Sequence, residues 1–121
     1  IVMPGRNNLP FVAWAARHGL DELLSCGTRV YFQPPPFAHS KLFIIDDDYA
    51  LVGSPNIDPR SLRLNFELAV EIYDSTTVET LLAHVDGLIG QAHEYTQAQL
   101  AARRFPARLR DSFFWLFSPY F

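Results

Sequence analysis

This sequence predicts an α/β fold, and three observations carry the prediction. Four runs rich in β-branched and aromatic residues, Arg29–Phe32, Lys41–Ile45, Tyr49–Val52 and Glu67–Tyr73, read as strands. Two longer stretches place apolar residues at helical spacing. The two kinds of segment alternate along the chain, which is the order of a layered α/β sandwich.

The elements follow in order. Ile1–Met3 reads as a short opening strand, closed by the Pro4-Gly5 turn. Asn8 stands where an N-cap belongs, and the helix covers Leu9–Ser25 with Phe11, Val12, Ala15, Leu20, Leu23 and Leu24 as its apolar positions. Gly19 weakens that helix, and Gly27 supplies a left-handed stop after it. Gln33 leads into Pro34-Pro35-Pro36, a stiff extended connection. The Lys41–Ile45 and Tyr49–Val52 strands are joined by Asp46-Asp47-Asp48. In the last strand Leu68, Val70 and Ile72 share a face. Asp74 then opens a second helix, with Thr76-x-x-Glu79 as a capping box and Val78, Leu81, Leu82, Val85, Leu88, Ile89 and Ala92 in a 3.6-residue period.

A chain of 121 residues suffices for one domain, burying roughly two-thirds of its unfolded surface. It opens on Ile1 in a strand-like run, so a fragment or a processed piece is the expectation. Cys26 stands alone, which excludes a disulfide framework and makes a reducing compartment the default. No signal peptide and no membrane-length apolar run is visible. The formal charge of −3 is unevenly spread: residues 103–121 carry Arg103, Arg104, Arg108 and Arg110 against Asp111, leaving the remainder at −6. So acidic a body is poorly suited to general nucleic-acid binding.

The chemistry concentrates in His39-Ser40-Lys41-Leu42-Phe43-Ile44-Ile45-Asp46, where Lys41 is the only lysine in the sequence. His39 and Lys41 share one strand face by the two-residue period. An imidazole beside a fixed ammonium suits reaction at a phosphate ester, as nucleophile or acid next to a charge for the phosphoryl oxygens. The flanking Leu42, Phe43, Ile44 and Ile45 read as a strand buried on both faces, which argues against a snorkelling surface lysine. Asp46 has the opposite parity and reads as the structural end of the strand. Asp46-Asp47-Asp48 lacks the glycine and distal glutamate of a calcium loop, so it reads as a solvated turn, and no metal or other cofactor is expected.

Downstream come Gly53-Ser54-Pro55-Asn56-Ile57-Asp58-Pro59-Arg60-Ser61 and Leu64-Asn65-Phe66-Glu67. With these the chain resembles the phospholipase D superfamily, in the order and spacing of His39, Lys41, Asp46, Gly53, Ser54, Asn56 and Glu67. The fuller string through Asp58, Arg60, Ser61 and Leu62–Glu67 is similar to the bacterial cardiolipin synthase branch, in particular to its C-terminal catalytic half. The resemblance implies a mixed sheet between helices, one half of a two-domain assembly. It implies a domain over residues 1–104 with one motif and a basic, aromatic tail over 105–121.

It also implies a site. His39, Lys41, Asp46 and Glu67 form the catalytic set, with Ser54 and Asn56 binding substrate. One histidine attacks phosphorus while a second, from the other motif, protonates the leaving alcohol, and His39 takes one of these two roles. Glu67 accepts the other ring N–H of the histidine, as the Asp does in a Ser-His-Asp triad. Asp58, Arg60 and Ser61 read as residues that shape the loop, with Arg60 alternatively reaching a lipid phosphate or an acidic neighbour.

The implied reaction moves a phosphatidyl group from one phosphatidylglycerol to another through a phosphohistidine. The implied partners are an anionic phospholipid and the half-domain bearing the other motif, at the cytoplasmic face of a bacterial inner membrane, with this fragment itself soluble. The tail, Phe113-Phe114-Trp115-Leu116-Phe117-Ser118-Pro119-Tyr120-Phe121, suits either insertion at a membrane surface or packing over the other half. Two rival readings keep the same residues: a homodimeric phosphodiesterase or nuclease, and a non-catalytic interaction domain.

Overall fold

The computed structural model describes residues 1–36, 39–56 and 59–120; the side chains of residues 59, 60 and 119 lie outside that description. The chain divides into two units, Ile1–Phe37 with Gln91–Phe121, and Ala38–Gly90.

In the first unit, β1 (Val2–Pro4) lies parallel to β2 (Val30–Gln33), and the intervening helix α1 (Pro10–Ser25) makes the connection that parallel strands require. The chain enters the sheet firmly. The Ile1 ammonium donates to the Arg29 carbonyl at 2.7 Å, and the Tyr31 N–H donates to the Ile1 carbonyl at 2.8 Å. Gly5 leaves β1 where a side chain would not fit, since a Cβ there would sit 2.8 Å from the Gln33 carbonyl oxygen.

Helix α1 begins one residue later than the sequence suggests, and Asn8 is not its cap. Leu9 holds the N-cap position, Pro10 takes the first helical position, and the Asn7 side chain instead accepts from the Leu9 N–H at 3.0 Å. Proline is suited to that position because its missing N–H would have no intrahelical partner. The other end matches expectation. Gly27 has φ +83°, its N–H donates to Leu24 and the Thr28 N–H donates to Leu23, the double closure of a Schellman motif.

A strand absent from the sequence-based expectation, here β3 (His93–Tyr95), pairs antiparallel with β2 and completes a three-stranded sheet. Arg29 clasps Glu94 across that pair through two hydrogen bonds of 3.1 and 3.2 Å. The short helix α2 (Gln97–Ala101) follows, started by a capping box between Thr96 and Gln99. Helix α3 (Phe105–Trp115) and a 3-10 turn at Ser118–Tyr120 close the chain. The sequence reads residues 105–121 as a separate tail, whereas α3 packs along α1 within this unit: Phe114 lies over Phe11 and Trp14, with ring centroids 6.4 and 5.1 Å apart.

The second unit is a meander. Strands β4 (Lys41–Ile45), β5 (Tyr49–Gly53) and β6 (Ala69–Ile72) pair antiparallel in sequence order. The α/β class therefore holds, with the strands shared between two three-stranded sheets. A short helix α4 (Pro59–Arg63) precedes β6, and helix α5 (Ser75–Gln91) follows it with Val78 fully buried.

Asp74, and not Thr76, caps α5: its carboxylate accepts from the Thr77 N–H at 2.9 Å and from the Thr77 hydroxyl at 2.6 Å. The hydroxyl bond first, then the backbone bond, hold the Asp74 carboxyl below its ordinary range. A depressed folded-state value means the cap stabilises fully above the unfolded value and loses that effect as pH falls through the folded one. Asp74→Ala is therefore expected to lower the melting temperature near neutrality. The gap from the unmodified chain should close in acid, and a gap that persists there would count against the carboxylate cap.

Candidate active site

Strand register gathers the site. Lys41 lies opposite Gly53, and Gly53 opposite Ala69, so these three residues form one row across the second sheet. His39 is two residues before Lys41, Ser54 one after Gly53, and Glu67 two before Ala69; pairing alone brings all three to the same sheet end. Gly53 permits the approach of the strands there, because a Cβ would fall 2.5 Å from the Leu68 carbonyl oxygen and 2.8 Å from the Ala69 Cα.

Two pairs of side chains meet at this sheet end. The Lys41 ammonium Nζ lies 2.7 Å from His39 Nδ1 and 2.9 Å from Nε2, and it donates to the His39 carbonyl at 2.9 Å. The near-equal distances to both ring nitrogens place a fixed positive charge directly against the imidazole. Lys41 is half-buried and His39 exposed, which leaves the ring accessible.

In the second pair, the Ser54 hydroxyl donates to Glu67 Oε2 at 2.5 Å. Ser54 also exchanges backbone bonds with the next strand: its N–H donates to the Leu68 carbonyl at 2.9 Å, and its hydroxyl oxygen accepts from the Leu68 N–H at 3.1 Å. The other Glu67 oxygen accepts from the Asn65 side-chain amide at 3.3 Å. Asn65 lies in the motif string without a sequence-derived role. The available signal was its spacing, since a residue two before Glu67 shares its side of an extended chain.

Other expectations fall differently. Asp46 is not brought to this end. It sits at the far end of β4, in the hairpin turn, with φ +53°, and five strand residues separate it from His39-Lys41 by roughly 17 Å. Asp is among the residues that tolerate that left-handed region. Asn56 is exposed on the loop after Ser54. Asp58 lies outside the described residues, as does the side chain of Arg60.

The strand bearing Lys41 is not buried on both faces, since Phe43 is 52% and Ile45 46% exposed. Antiparallel sheets commonly leave one face open in this way. Farther along β6, Glu71 is engaged by the Tyr49 and Tyr73 hydroxyls at 3.1 and 3.2 Å, and its charge raises the Tyr73 phenol above its ordinary range. Among the described residues, no group of three or more His, Cys, Asp or Glu side chains is placed to hold a metal ion, and no helix is long and apolar enough to cross a membrane.

The family described as "Cardiolipin synthase, PLD-like domain" matches residues 1–89. The chain is 34% identical over 119 residues to the major cardiolipin synthase ClsA of Bacillus subtilis (strain 168), covering 98% of this chain and 25% of that protein. It is 37% identical over 120 residues to a cardiolipin synthase of Staphylococcus aureus (strain Mu50 / ATCC 700699), covering 98% and 24%. It therefore spans about a quarter of the length of the curated relatives it matches. No solved structure matches it. On the match over residues 1–89 and these identities, the chain belongs to the cardiolipin synthase, phospholipase D-like domain family.

Proposed function

We propose that this chain supplies one catalytic half of a phosphatidyltransferase that makes cardiolipin from two molecules of phosphatidylglycerol. The observation that carries the reading is the contact of Lys41 Nζ with the His39 ring at 2.7 Å, at the sheet end where Glu67 and Ser54 also meet. In this reading an imidazole nitrogen attacks the phosphorus of the donor lipid and the bond to the glycerol headgroup breaks. The departing glycerol oxygen takes a proton from a second histidine, one histidine of the pair coming from this chain and the other from a partner half-domain. A hydroxyl of the second phosphatidylglycerol then gives its proton to that second histidine as it attacks the phosphatidyl-histidine, and the P–N bond breaks to restore the imidazole and form cardiolipin. His39 serves as nucleophile or acid in this scheme.

Lys41 supplies fixed positive charge to the phosphoryl oxygens as negative charge develops on them. Glu67, held by Ser54 and Asn65, is poised to orient the histidine, and Asn56 offers an exposed amide to the substrate. The finer assignments of lipid, headgroup and cytoplasmic membrane face rest on the same kinship.

One motif supplies one histidine, whereas displacement at a phosphodiester needs a nucleophile on one side and an acid on the other. The 121-residue chain alone is therefore expected to be inactive. Incubation with phosphatidylglycerol in detergent, and separately with a chromogenic phosphodiester, checks this. Robust turnover that depends on His39 in either assay would favour the homodimeric phosphodiesterase instead.

A further inference from the structure

Helix α3 has two unlike faces. The inner face is fully employed. Phe114 covers Phe11 and Trp14, the Arg110 guanidinium stacks 4.2 Å over the Trp14 ring, and the Ser112 hydroxyl meets His18 Nδ1 at 3.1 Å. Asp111, 2% exposed, is clasped by Arg103 and Arg110. On the outer face Phe113 packs edge-on against its chain neighbours Phe114 and Phe117, with centroids 5.6 and 5.2 Å apart. Phe105, Leu109, Phe113, Leu116 and Tyr120 recur at intervals of four, four, three and four residues, and each is more than half exposed. Arg104 and Arg108 are exposed immediately before Phe105 and Leu109.

The charge pattern selects the occupant. From Tyr95 onward Asp111 is the single acidic residue, and it is buried against two arginines. The charged residues accessible along the outer face are consequently cationic, while the rest of the sequence is acidic. A second copy seated stripe to stripe would bring arginines against arginines with no accessible carboxylate of the stripe to offset them. An aromatic and aliphatic stripe with arginines beside it, and no accessible acid, matches the interface of an anionic bilayer.

We propose that the outer face of α3 and the following turn lie in the headgroup region of an anionic membrane, while the inner face keeps the helix docked on α1. Only half of the aromatic tail then contacts lipid. The inference deepens the phosphatidyltransferase reading, by naming where the lipid surface meets the protein, and rests on it only for the lipid class chosen as probe.

Vesicle flotation of the full chain tests it without any turnover. With phosphatidylcholine vesicles containing phosphatidylglycerol the chain is expected to float, and binding should fall with added salt or with phosphatidylcholine alone. Leu109→Ser with Phe113→Ser should weaken binding about tenfold or more, with circular dichroism unchanged. Arg104→Gln with Arg108→Gln, a wholly surface change that keeps the test valid if the serine pair perturbs folding, should remove the preference for phosphatidylglycerol. Failure of the unmodified chain to float would overturn the proposal. So would full binding by both paired variants, or a dimer that the serine pair dissociates while vesicle binding stays absent. Near-normal transfer by His39→Ala in the full-length enzyme, with flotation of this chain intact, would sink the catalytic reading and leave this inference standing, so the two readings fail separately.

Discussion

His39→Ala in the full-length enzyme is expected to abolish phosphatidyl transfer, with a loss of about three orders of magnitude or more. The change deletes a chemical group from an exposed position and removes no core volume, so the melting temperature should stay close to that of the unmodified protein. Lys41→Ala should also impair turnover, for a different reason: the imidazole remains, but the ammonium that lies 2.7 Å from it and would face the phosphoryl oxygens is gone. Initial rates on phosphatidylglycerol, measured beside a thermal melt, separate chemistry from folding. Near-normal rates in His39→Ala would remove His39 from the reaction.

Asp111→Ala should be the most damaging substitution for stability among the charged residues of the first unit. Its carboxylate accepts from Arg103 and takes two bonds from Arg110, at 2.8 and 3.1 Å. Removing it strands two guanidiniums, one of them mostly buried, in the contact between α1 and α3. Leaving a buried charge unpaired typically costs about 3–5 kcal/mol, and because Arg110 is 37% exposed the expected loss is near the lower end, about 3 kcal/mol. Urea unfolding checks the figure, since the midpoint should drop with an unchanged slope. A loss below about 1 kcal/mol would indicate that water readily replaces the carboxylate.

Much of the candidate site was legible because it depends on short-range periodicity. The two-residue period puts His39 and Lys41 together and sends Asp46 elsewhere, and the antiparallel meander then aligns Gly53 and Ala69 with Lys41. What stayed hidden depends on partners distant in sequence. Strand β3 has three residues and exists by pairing with β2, more than sixty positions earlier, so local pattern had nothing to detect. The Thr96-x-x-Gln99 box is the local sequence signal for α2.

Two caps were misjudged where neighbouring residues competed. Pro10 settled the start of α1 over Asn8, and Asp74 reached the Thr77 N–H in place of the Thr76 box. The aromatic run at the C-terminus is apolar all round in sequence. Which half faces α1 follows only from the packing of Phe114 beneath Phe11 and Trp14. The exposure of Phe43 and Ile45 escaped for the same reason, since a run of apolar residues does not reveal which sheet face is covered.

The most direct test of the central claim is a product balance. Full-length enzyme is supplied with phosphatidylglycerol labelled in its headgroup glycerol, and cardiolipin and free glycerol are measured together over time. Transfer through a phosphatidyl-histidine built on this site predicts equal amounts of the two products, and the loss of both in His39→Ala. Phosphatidic acid as the main lipid product, or cardiolipin formation that survives His39→Ala, would contradict it.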